Sequence, residues 1–203
     1  MATVTAVSPA LRARPATALP LTSARLSLAG TAVFMALLAA LHVLKPEIDP
    51  SWRFISEYAI GDYGWLMSLA FLSWALGHVA LFFALRPQVR TLAGRIGLGL
   101  FVVGAAGLVI AACFPMDPIT PAPEAATTSG TLHNLGGTLG IAGLFGVVLT
   151  CWSLARNPAW SAARRSLLAA TGLDLLGFVV SVGSITVLLS WSGGAFGPDV
   201  PVG

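Results

Sequence analysis

Five apolar runs constrain this chain more than anything else in it, because each is about as long as a bilayer's hydrocarbon core is thick. They cover about Leu26–Leu44, Gly64–Leu85, Ile96–Phe114, Asn134–Ala155 and Ser166–Trp191, and a helix needs ~20 such residues to cross a membrane. In lipid every backbone N–H and C=O must find a partner within the protein, and long runs without strand-like alternation meet that demand as helices. The polar remainder is thin. Charged residues make up 9% of the chain, against about 25% in a soluble domain, and the mean hydropathy is +0.85. The expected fold is an all-α, polytopic transmembrane bundle with five spans over residues 26–191. A mobile tail over 1–25 and a short tail over 192–203 flank it. The first run exceeds the ~7–15 residues of a signal-peptide core and lacks a clear small-x-small cleavage site, so it reads as a retained helix.

The charges sort by side. If the helices alternate, nine of the 11 Lys and Arg residues fall at one end of the bundle: Arg12, Arg14, Arg25, Arg86, Arg90, Arg95, Arg156, Arg164 and Arg165. Lys45 and Arg53 fall at the other end, with seven of the eight acids. Basic residues close to span ends stay in the cytoplasm. The expected location is therefore the cell membrane, multi-pass, with the N-terminus cytoplasmic and the C-terminus outside. The same sorting explains a pI near 9.4 by topology, with no nucleic-acid partner. Cys113 and Cys151 sit at opposite ends of their spans, too far apart for a disulfide.

At the outer end, several side chains come to one membrane level. Glu57 lies in "FISEYAIGDYGW", Asp117 in "CFPMDP" and His133 in "GTLHNLGG". His42, Arg53, Tyr58 and Trp65 lie close by in sequence and are candidates to bind substrate. One reading is an ordinary interface of solvated acids and belt aromatics. A second is general acid–base catalysis by Glu57, Asp117 and His133, since a carboxyl beside aromatic rings is desolvated and suited to proton donation. Metal binding by His42, His133, Glu57 and Asp117 is a third, chemically acceptable but without HExxH or CxxC spacing, so no metal ligands are assigned. Bis-histidine haem through His42 and His133 is a fourth, and the cofactor is unknown. Deeper in the bundle, His78 and Asp174 are expected at similar depth as an intramembrane polar pair. An ionised Asp at mid-bilayer costs ~2.5–3.5 kcal/mol, so Asp174 should face the interior, where it marks a proton or substrate path or a helix–helix hydrogen bond.

These three stretches together resemble the prokaryotic integral membrane family catalogued as domain of unknown function 998, from about Leu26 to Trp191. The resemblance rests on Ile55–Tyr58, Phe114–Asp117 and Gly130–His133 in that order. It implies a compact helical membrane protein, and it supplies no reaction. It also implies about six helices where five are read here, so the sixth is expected from a partner chain or from beyond a shortened reading frame. The functional expectation is an integral membrane protein whose outward-facing acid/His site handles a lipid or apolar small molecule. The enzyme alternative is acid–base chemistry (cyclase, isomerase or hydrolase type) on a lipid or isoprenoid. The third alternative is a structural or assembly partner of another membrane protein, or a homo-oligomer, suggested by the glycine-rich third and fourth spans.

Overall fold

The structure is a computed structural model, and it describes residues 18–120 and 124–191. Six α-helices are present among them: α1 (Ala18–Leu44), α2 (Gly64–Leu85), α3 (Leu92–Cys113), α4 (Thr128–Gly140), α5 (Ala142–Ala155) and α6 (Arg164–Trp191). Short 3-10 helices occupy Ile55–Ala59 and Pro158–Ala163, and no strand occurs among the described residues. Helix α1 begins at Ala18, so residues 18–25 are helical where a tail was expected. Residues 1–17 and the tail 192–203 lie outside the described residues.

Five of the helical segments are long and apolar enough to cross a membrane, with α4 and α5 together forming the fourth, Thr128–Ala155. That fourth span is one apolar run in sequence but two helices in space, broken at Ile141. The break falls in "GGTLGIAG", where glycine gives the helix little backbone preference, and the Leu144 N–H reaches back to the Ile141 carbonyl at 3.1 Å.

The helices pack in sequence. Helix α1 lies on α2, α2 on α3, and α3 on both α4 and α5, while α6 packs on α5. Apolar side chains face outward as lipid demands: Leu28, Val43, Leu92 and Leu173 are each at least 70% exposed. What holds the helices together is close backbone approach, because lipid supplies no hydrophobic drive between them. A Cβ at Gly107 would meet the Gly136 carbonyl at 2.5 Å, one at Gly104 the Gly143 nitrogen at 2.9 Å, and one at Gly97 the Gly146 carbonyl at 2.9 Å. These glycine pairs form a seam along α3 against α4–α5. Gly136 is thus engaged inside the fold, whereas a Cβ at Gly140 would find its nearest neighbour at 4.0 Å. Cys113 and Cys151 are free thiols.

Chain order places the start of α1 with the α2–α3 and α5–α6 connections at one end, here the arginine end. The α1–α2 connection and the α3–α4 connection lie at the other, the acid end. At the arginine end Thr91 caps α3 and donates to the Ser153 hydroxyl at 2.6 Å, while Arg156 stacks on Trp152 at 4.1 Å.

Candidate functional site

The α1–α2 connection at the acid end is shaped by local backbone requirements. Gly61 takes φ +71°, a left-handed conformation that favours glycine, and a Cβ at Gly64 would collide with the Ala59 carbonyl. The stretch therefore turns tightly back into α2. The turn buries what precedes it: Glu57 is fully buried and Tyr58 is 1% exposed.

Glu57 closes a clasp between the two connections. Arg53 donates to its carboxylate twice, from Nε and Nη2, each at 2.7 Å. The Phe54 N–H adds a bond at 3.3 Å and the Ile119 N–H, from the α3–α4 connection, one at 3.2 Å. Arg53 also donates to the Thr120 hydroxyl at 3.2 Å. Two-pronged Arg–carboxylate pairing fixes geometry as well as charge. Beside the clasp, Lys45 is buried and its ammonium donates to the carbonyls of Tyr58 and Ile60.

Asp117 performs a second tie. Thr127 caps α4 by accepting from the Gly130 N–H at 3.0 Å, and Asp117 in turn accepts from the Thr127 hydroxyl at 2.6 Å and its N–H at 2.9 Å. The Thr127 hydroxyl and then its backbone N–H favour the ionised form, holding the Asp117 carboxyl below its usual 3.8. His133 makes the third tie, its Nδ1 lying 2.7 Å from the Phe114 carbonyl. A carbonyl only accepts, so Nδ1 carries the proton.

The three expected catalytic side chains thus share one end of the molecule, but no hydrogen bond joins any two of them. The four expected binding residues do not line one site, although the His42 and Tyr58 rings touch. Arg53 belongs to the clasp. Tyr58 donates to the Ile48 carbonyl at 3.1 Å, and burial, then the charges of Glu47 and Asp49, push its hydroxyl pKa up. His42 is exposed, with its ring 5.1 Å from that of Tyr58, and Trp65 is 62% exposed. Among the described residues no three His, Cys, Asp or Glu side chains gather as a metal requires.

Below His133 lies a feature that sequence reasoning missed: a cavity of about 500 Å³ inside the bundle. Its walls are mainly apolar and aromatic, including Phe71, Trp74, Phe101, Leu108 and Leu144. Its polar groups are Ser56 and His133 toward the acid end, His78 and Asp174 deeper in, and Ser27 and Thr31 on α1. Phe71 neighbours His133, with ring centroids 6.2 Å apart, and His78 follows Phe71 by seven residues on α2. At 1.5 Å per residue the two imidazoles stand about 10 Å apart along the helix axis.

His78 repeats the geometry of His133. Its Nδ1 lies 3.0 Å from the Trp74 carbonyl, and a Cβ at Gly143 would sit 2.6 Å from its Nε2. The glycine at 143 therefore makes room for the ring. Asp174 lies one turn from Phe178, which meets Phe145 of α5 at 5.9 Å. That register puts Asp174 a turn or more beyond Gly143. The expected His78–Asp174 pair accordingly shares one cavity without a hydrogen bond, and Asp174 Oδ2 is buried with no partner among the described residues. A histidine on the apolar α2 (His78) facing a glycine on α5 (Gly143) is the signal that marks this wall in the sequence.

Apolar outward faces and five spans define an integral membrane protein of the multi-pass helical class. The family described as "Protein of unknown function (DUF998)" matches residues 28–197, and the chain belongs to it. A search of the curated proteins and of the solved structures found no match.

Proposed function

We propose that the protein binds a lipid or another apolar molecule in the cavity below His133, with the acid end on the outer side of the membrane. The observation that carries this reading is the cavity itself: about 500 Å³ of mainly apolar wall, with a few polar groups at its edges, is the usual composition of a small-molecule site. Access supports it too. Helices α1 and α6 flank the cavity through Thr31 and Asp174, yet α1 packs chiefly on α2 and α6 on α5. A molecule dissolved in the bilayer enters between them without crossing water.

Binding is favoured over acid–base chemistry at Glu57 and Asp117. Both oxygens of Glu57 accept from Arg53, and both oxygens of Asp117 accept from Thr127, so each acid already has a structural partner that accounts for its place. The sidedness follows from the arginine end, since basic residues near span ends remain cytoplasmic.

Native mass spectrometry of the detergent-purified protein tests the reading. The wild type retains a noncovalent apolar molecule. Gly137→Phe loses it, because Gly137 lines the cavity and a Cβ there meets nothing within 4 Å. A wild type released without adduct, or a variant that keeps it, defeats the reading. Membrane-impermeant thiol labelling of Asp62→Cys in intact cells, with Cys113 and Cys151 replaced, checks the sidedness: the exposed position labels from outside, and labelling only after lysis reverses the orientation.

A further inference from the structure

The polar edges of the cavity also carry information about the head group of its ligand, on the reading just given. His133 is 4% exposed, and its Nδ1–H is committed to the Phe114 carbonyl. Its Nε2 is then a hydrogen-bond acceptor, and none of the described residues donates to it. His78, deeper in the same cavity, is committed in the same way through the Trp74 carbonyl. The fixed tautomer leaves Nε2 of His133 as an acceptor at the cavity edge, while Nε2 of His78 lies against Gly143 of α5.

Charge points in the same direction. Among the described residues no Lys or Arg lines the cavity. The two cations nearest the acid end are held elsewhere, Arg53 by Glu57 and Lys45 by the carbonyls of Tyr58 and Ile60. A phosphate or carboxylate head group would enter without a counter-charge, at the heavy cost of an unpaired buried ion.

We infer that the cavity selects a neutral, hydroxyl-bearing apolar molecule over an anionic lipid, the hydroxyl donating to Nε2 of His133 while the apolar part lies along Phe71, Trp74 and Leu108. The test uses the full chain in lipid nanodiscs and a photoreactive isoprenyl alcohol whose labelling sites are mapped by peptide mass spectrometry. Farnesol, its methyl ether, its monophosphate and farnesylamine then compete for labelling of the cavity walls.

Farnesol should compete roughly tenfold better than the ether, the value of about one hydrogen bond, and better still than the phosphate. His133→Phe should bring alcohol and ether together. Should that variant fail to fold, Thr31→Lys at the α1 edge of the cavity serves instead: the added ammonium supplies a counter-charge and should narrow the gap between alcohol and phosphate. Equal competition by alcohol and ether, or stronger competition by the phosphate or the amine, overturns the head-group inference and leaves apolar binding standing. Labelling that avoids the cavity walls, with no competition by any of the four, overturns both.

Discussion

Removing the Glu57 carboxylate tests whether the clasp at the acid end holds the fold or is merely a solvated ion pair. The Glu57 side chain is 0% exposed and that of Arg53 13%. Breaking a buried pair by deleting one partner costs about 3–5 kcal/mol, because the other charge remains out of water. Glu57→Ala also strips the Phe54 and Ile119 amides of their acceptor. Two effects moderate the loss: Arg53 keeps the Thr120 hydroxyl and the Trp52 ring at 5.0 Å. The expectation stays at about 3–5 kcal/mol, which for a chain of this size lowers Tm by roughly 6–20 °C. Thermal unfolding in detergent, followed by tryptophan fluorescence, measures it. The double variant Arg53→Met/Glu57→Leu should recover most of the loss, since an apolar pair leaves no charge stranded. A Glu57→Ala penalty below about 1 kcal/mol, the range of exposed pairs, refutes the burial argument. So does a double variant as unstable as the sum of the two single ones.

Two further outcomes follow from the packing and the caps. Gly107→Ala drives a Cβ into the Gly136 carbonyl and Gly140 nitrogen at 2.5 Å, and should cost at least the ~1–3 kcal/mol of overpacking. Gly99→Ala, with nothing within 4 Å, should be neutral or stabilise by up to about 1 kcal/mol, and equal Tm values for the two variants would contradict the glycine seam. For Asp117 the folded pKa is depressed, so its bonds to Thr127 stabilise the fold above the unfolded value and are lost as pH falls through the folded one. The Tm gap between wild type and Asp117→Asn should therefore be constant above about pH 5 and shrink progressively below 3.8. A gap that persists unchanged at lower pH refutes the assignment.

The five spans were legible because the apolar runs are as long as the barrier they cross, a constraint written residue by residue. The break at Ile141 was not, since its flanking glycines read as packing residues and the run stays apolar through it. The acid end was half legible. Glu57, Asp117 and His133 could be assigned to one membrane level from topology. Their partners could not: pairing Glu57 with Arg53 is a local i,i+4 matter, but its bond to the Ile119 amide spans 62 positions. The cavity was the least legible feature. Its walls come from every one of the helices, and a missing volume has no residue type of its own.

The clasp also bears on the order of assembly. Its halves come from connections that emerge from synthesis well apart, the first after α1 and the second after α3. Until Ile119 and Thr120 arrive, Glu57 and Arg53 have each other but nothing to grip. Closure of the acid end therefore cannot precede synthesis of the α3–α4 connection, and it requires both connections to reach the same side of the membrane.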